Sequence, residues 1–223
     1  ESTLVEIFNK PDIGDLFNRI SKNMGILHIY ETFTYKMEEF MLKEKKWKKL
    51  PTLIELYNTT KKELYLVSTR ETSNGFFEKV VVSHKTFPNI SILRAAEMSA
   101  NLPWMFCKIK EGDSYYIDGG FSDDFPYKFL KEQIPDPQIF GIFIQETAPL
   151  TRTDNPFSFT YRLVSYPISQ LSSKQIEELS EKEKKNIIKL KINVLNPVNF
   201  NLSQRTRMDY FVEGYQQTEK MFI

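Results

Sequence analysis

The chain has 223 residues, of which 41% are hydrophobic and 26% charged. That apolar content fills a sizeable core and excludes disorder as a description of the whole chain, because disorder requires low hydrophobicity and high net charge. Thirty basic against 29 acidic residues leave a formal net charge of +1. A general nucleic-acid binder, whose domain would be clearly basic, is therefore not expected.

Cys107 is the single cysteine, which excludes an intrachain disulfide and a Cys-rich zinc site. Two histidines, His28 and His84, leave little for a metal centre. No metal or organic cofactor is expected. The longest apolar run, Ile139 to Ile144, is far short of the ~20 residues that span a bilayer. No signal peptide is visible at the start. Together these suggest a reducing, cytoplasmic setting.

The first third reads helical. Phe33, Met37, Phe40 and Met41 recur at spacings of three and four, which predicts a helix from Glu31 to Lys49 with one apolar face. Lys43, Lys45, Lys46, Lys48 and Lys49 crowd its C-terminal end, where cations complement the helix dipole. Thr52 and Glu55 have capping-box spacing and open a short helix to Asn58. Glu63 to Thr69 then reads as a strand, Ser73 to Gly75 as a turn and Phe76 to His84 as a second strand.

Ser91 caps a helix that ends at Ala100 and is stopped by Asn101-Leu-Pro103. Tyr115 to Asp118 is a short strand ending at Gly119-Gly120, and Pro126 to Gln133 is a helix. Ile139 to Gln145 is unbroken and apolar, the pattern of a strand buried on both faces, expected beside the strand that ends at Asp118. Thr151 to Phe159 reads as a polar loop, Ile168 to Lys185 as a charged helix, Ile187 to Val194 as a strand and Ser203 to Phe222 as a final helix. The recurrence of strand, helix and strand predicts a single α/β domain over residues 1–223 with a mostly parallel central sheet.

Two stretches carry the chemistry. Ala95, Ala96 and Ala100 are three of only four alanines and fall in one short helix, which permits a close approach to its neighbour. Asp118 ends a strand and is followed by Gly119 and Gly120, two residues free to adopt unusual backbone angles. A carboxylate so placed points into a crevice at a strand end. By itself, Asp-Gly is also a common turn signal.

In order, the chain has Ala96-Glu-Met-Ser99-Ala-Asn-Leu-Pro103-Trp-Met-Phe106, then Asp118-Gly119-Gly120, then Asp123-Asp-Phe-Pro126. This ordered set resembles the patatin-like phospholipase family over roughly residues 13 to 145, and Gly214-Tyr215 is similar to the Gly-Tyr of the last helix in some members. The resemblance implies a patatin-like three-layer fold and hydrolysis of lipid acyl esters by a Ser–Asp dyad, with Asp118 as base and Gly119 and Gly120 as its supporting loop. The family's Gly-x-Ser-x-Gly nucleophile and its upstream Gly-rich oxyanion loop do not occur in this sequence. The expectation is a C-terminal portion of a patatin-like domain, with core about 13–145 and an extension about 146–223. Its sheet would be incomplete on the N-terminal side, and the serine would come from a missing N-terminal segment. The chain alone is then expected to be inactive. The partners implied are a lipid ester, that missing segment and a membrane surface, with no nucleic acid.

The alternative is a non-catalytic structural or interaction protein that retains part of the fold. Asp123 and Asp124 read as a solvated loop, and Ser99 as a packing residue without the exposed elbow a nucleophile needs. His84 reads as the end of an edge strand and Cys107 as a small buried hydrophobe. The lysine run reads first as a solvated face, with an anionic membrane surface as the sharper option beside Trp47 and Phe40. Scarce alanine with abundant Lys, Asn, Ile and Phe suits an AT-rich genome, viral or protozoan.

Overall fold

The computed structural model describes residues 22, 25–134, 139–146, 156–192 and 202–220. The chain divides into two compact units, residues 1–124 and 125–223.

In the first unit, β1 (Gly25–Leu27) pairs in parallel with β4 (Trp104–Phe106). The approach is so close that a Cβ on Gly25 would lie 2.1 Å from the Phe106 carbonyl oxygen. A π-helical turn (Tyr30–Thr34) runs into α1 (Tyr35–Lys45), which stops where Lys46 turns left-handed at φ 53°. The expected helix to Lys49 is thus shorter, and its stripe is not core: no described residue of α1 is buried. The capping box forms as the spacing requires. Thr52 Oγ1 accepts from Glu55 N–H and Glu55 Oε2 accepts from Thr52 N–H, opening α2 (Leu53–Thr60).

β2 (Leu66–Glu71) and β3 (Phe77–Val82) form the expected hairpin, closed by Gly75 at φ +76°. α3 (Ile92–Ser99) is capped by Ser91, whose hydroxyl accepts from Arg94 N–H. β5 (Ile109–Glu111) and β6 (Ser114–Asp118) form a second hairpin. The four-stranded sheet runs β3-β2-β6-β5, and every pairing in it is antiparallel. The mixed α/β class is as expected, but parallel pairing is confined to two-stranded pairs. Two of the four-stranded sheet's three pairings are set locally: tight turns at Gly75 and at Gly112 (φ +59°) reverse the chain where a parallel neighbour would need a long crossover. Leu53, Val82, Leu93, Ala95, Met98, Met105, Phe106 and Tyr116 are among the buried side chains of this unit.

In the second unit, α5 (Tyr127–Gln133) follows Pro126, and α4 denotes the one-turn helix Gly120–Asp123 just before the boundary. β7 (Gly141–Glu146) pairs in parallel with β8 (Ile187–Ile192). Two expectations are corrected here. β7 does not neighbour β6, whose edges are taken by β2 and β5. Nor is it buried on both faces: Phe143 is 6% exposed, while Ile142 and Ile144 are 58% and 52% exposed. Its inner face packs with Phe125, Tyr127, Ile139, Ile176 and Ile187, and among the described residues nothing covers the outer one.

The predicted loop and charged helix are replaced by α6 (Pro156–Glu177), with Pro167 inside it, and by α7 (Glu181–Lys184), opened by a Ser180–Glu183 capping box. Residues 151–155 of that expected loop and Asn193–Val194 of the expected strand lie outside the described residues. α8 (Gln204–Glu219) closes the chain and joins β8 through Gln217, whose amide accepts from Lys191 N–H at 2.7 Å and donates to Lys191 O at 2.9 Å. No helix among the described residues is long and apolar enough to cross a membrane.

Candidate active site

β6 forms because Tyr115, Tyr116 and Ile117 suit a pleated, half-buried surface. It ends on Asp118, where three hydrogen bonds hold the main chain. The Asp118 N–H donates to the Asn101 carbonyl at 2.9 Å, its carbonyl accepts from Thr69 Oγ1 at 2.9 Å, and the next N–H, of Gly119, donates to the Ser99 carbonyl at 3.0 Å. Ser68, directly opposite Asp118 in the sheet, is fully buried, and its one hydroxyl proton lies between Met98 O at 2.7 Å and Ile117 O at 3.0 Å. The C-terminal end of α3 and the end of β6 are thereby locked together. This is the close approach that the small residues of α3 permit; Ala95 is completely buried.

The two glycines act by lacking a side chain, not by unusual angles. Gly119 has φ −69°, and only Gly75 and Gly112 have positive φ among the described glycines. A Cβ on Gly119 would lie 2.1 Å from Val67 O, inside the neighbouring strand. A Cβ on Gly120 would lie 2.9 Å from Asp118 Oδ1 and 3.4 Å from Asp124 Oδ1. Gly120 therefore leaves room for the Asp118 carboxylate and donates its own N–H to Oδ1 at 2.8 Å.

That is the single hydrogen bond reaching the carboxylate among the described residues, and no cation stands against it. Burial pushes the Asp118 carboxyl up from 3.8 to about 6, with the Gly120 N–H opposing and the negative charge of Asp124 assisting. A carboxylate of this kind is ionised near neutrality yet takes a proton more readily than an exposed one.

The other sequence candidates lie apart from this arrangement. Asp123 is not solvated: its side chain is 9% exposed and pairs with Lys79 of β3 at 3.0 Å. Asp124 is exposed, as expected. Ser99 contributes its carbonyl. His84 follows β3, which is an edge strand, but lies in the turn beyond its end. It stacks on Tyr57 at 4.0 Å, with Nε2 3.9 Å from Glu63. His28 is exposed, and Cys107 is buried. Among the described residues no three His, Cys, Asp or Glu side chains are grouped to hold a metal ion.

Sequence reasoning missed Asn101, read merely as part of a helix stop. It is fully buried and its amide donates to Cys107 O at 3.1 Å and Tyr116 O at 3.2 Å, while its backbone carbonyl holds Asp118. The available signal was an amide immediately after a capped helix and before an apolar segment.

The patatin-like phospholipase family model matches residues 6–131, more than half of the chain. The chain belongs to the patatin-like phospholipase family. It is 27% identical over 115 residues to a probable lipid hydrolase, 463L, of Invertebrate iridescent virus 6, a match covering 52% of this chain and 38% of that protein. Among solved structures, VipD from Legionella pneumophila matches at 19% identity and a TM-score of 0.42, covering 79% of this chain and 36% of that one. The chain thus spans well under half the length of these two relatives. Asp118, Gly119, Gly120 and the α3 segment all fall inside the stretch that the patatin-like model covers.

Proposed function

We propose that this chain is the base-bearing part of a lipid acyl hydrolase, in which Asp118 takes the proton of a serine supplied by a segment preceding Glu1. The observation that carries this reading is the state of Asp118: its main chain is fixed on both sides, and its carboxylate has one backbone N–H and is raised to about 6 by burial. A nucleophilic hydroxyl needs an adjacent base within hydrogen-bond reach, and a desolvated carboxylate serves as one without a histidine. The serine attacks the ester carbonyl, Asp118 accepts its proton, and the alcohol leaves with that proton. Water then repeats the sequence on the acyl-enzyme and releases the fatty acid.

Family membership and the viral lipid hydrolase support lipid esters as the substrate class. In this reading the whole chain is one part of a patatin-like domain, its sheet completed by the preceding segment, acting in the cytoplasm at a lipid surface. Gly119 and Gly120 shape the floor under the base, and no metal or organic cofactor takes part.

The test compares this chain with a longer protein that includes the encoded preceding segment. The longer protein is expected to contain Gly-x-Ser-x-Gly and to hydrolyse lipid esters. Residues 1–223 alone are expected to show no more turnover than their Asp118→Ala variant. A full reading frame without that motif, and without activity, would leave the non-catalytic interaction protein as the better reading.

A further inference from the structure

The surface of α1 has a composition that the Asp118 site does not use. Glu38, Met41 and Leu42 are its half-buried residues, so this side faces the body of its unit. At 3.6 residues per turn, Lys36, Phe40 and Lys43 form one row on the opposite side, with Met37 beside Phe40. All four are exposed; Phe40 is 64% and Met37 46% open to solvent. The expected apolar stripe therefore exists, but its outer part is turned to water and flanked by lysines.

Residues 43–49 add five lysines against one glutamate around Trp47. This local excess of four positive charges exceeds the net charge of +1 of the entire chain. The helix dipole accounts for Lys43 and Lys45 only, because Lys46 is the left-handed cap and Lys48 and Lys49 lie beyond it. Lys49 pairs with Glu55 at 3.1 Å, while among the described residues Lys43, Lys45, Lys46 and Lys48 carry no ion pair. Cations assembled past a helix end in excess of their acidic neighbours suit an anionic partner. Exposed Phe and Met among them suit a partner with an apolar layer beneath its charge, which a lipid surface has and a nucleic-acid backbone lacks.

We infer that the outer face of α1, with the lysines of residues 43–49, docks this protein on an anionic lipid surface. Phe40 and Met37 enter the boundary between headgroups and acyl chains, and the lysines meet the headgroup charges. The choice of a lipid partner rests on the lipid-ester reading above, but docking and hydrolysis fail separately.

The experiment is co-sedimentation of the full chain with vesicles of ether-linked phosphatidylcholine, alone or in an equimolar mixture with ether-linked phosphatidylserine. These lipids have no acyl ester, so turnover does not enter. The chain is expected to bind the mixed vesicles and to be released by salt. Lys43→Gln with Lys48→Gln should lower the partition coefficient on them by about tenfold or more. Phe40→Ser should lower it by about tenfold. Both variants should melt like the wild type, since every altered side chain is exposed. Five results would each overturn the inference: no binding, equal binding to both vesicle types, binding unchanged in either variant, preference for a single-stranded oligonucleotide, or a dimer without lipid that Phe40→Ser dissolves.

Discussion

Two aspartates bracket the turn after β6, and their surroundings are opposite. Asp123 reaches Lys79 on β3 at 3.0 Å, so its charge is matched by a cation that is itself 40% exposed. Asp118, five residues earlier, is desolvated with one backbone N–H and no cation, and has Asp124 near it. The first arrangement serves stability. The second costs stability whenever the group is ionised, and the fold nevertheless fixes it from both sides. A charge held at a cost is what the base role proposed for Asp118 calls for.

Substitutions at this turn should separate the two aspartates by the sign of their effects. The largest change is expected at the residue between them. Gly119→Ala should cost on the order of 4 kcal/mol or more and leave little folded protein, because its Cβ has no space beside Val67 O. Circular dichroism of the purified variant checks this, and a native melt would show that the strand end yields.

Asp118→Asn should stabilise the protein. The folded carboxyl titrates near 6 and an ordinary aspartate near 3.8, so the folded state holds its proton longer and wild type loses stability as pH rises between those values. Below about pH 4 both proteins should melt alike. Above about pH 6 the variant should be more stable by a constant ~3 kcal/mol. Thermal melts across pH 3–8 give the curve, and a difference between variant and wild type no larger at pH 7 than at pH 4 would contradict the desolvation account.

Asp123→Ala should act in the other direction and less strongly, costing about 1 kcal/mol at neutral pH, since Lys79 keeps much of its water. Lys79→Met should cost more than Asp123→Ala, because it leaves the poorly exposed Asp123 carboxylate without its cation. The smallest effect is expected from Gly120→Ala. Its Cβ crowds Asp118 Oδ1 and weakens the one hydrogen bond that lowers the carboxyl, so the Asp118 midpoint should rise slightly above about 6 in a carboxyl carbon NMR titration.

Local signals were the legible ones. The Thr52–Glu55 and Ser91 caps, the Gly75 hairpin and the end of β6 at Asp118 each depend on a few adjacent residues, and each formed as read. β1, β4 and β5 have three residues each, too few to display a period. β7 failed for a different reason: an unbroken apolar run does not tell which face is covered, and among the described residues β7 pairs only with β8. Glu97 looks like a solvent-facing helix residue, yet it is 5% exposed, accepting from Thr34 Oγ1 at 2.6 Å and paired with Arg94 at 3.3 Å. Arg94 is only three residues away, but a partner as distant in sequence as Thr34 leaves no trace in local pattern. At the site, the Asp-Gly-Gly order located the carboxylate, but the work of Asn101 and Ser68 depends on strand register.

The most direct test of the central claim is the pH dependence of lipid-ester hydrolysis by the protein with its preceding segment, measured as kcat/KM for wild type and Asp118→Asn. If Asp118 is the base, wild-type activity rises through a midpoint near 6, and the variant is inactive while melting at or above the wild-type temperature at neutral pH. Turnover retained by Asp118→Asn, or a wild-type profile that is flat through that midpoint, would contradict it.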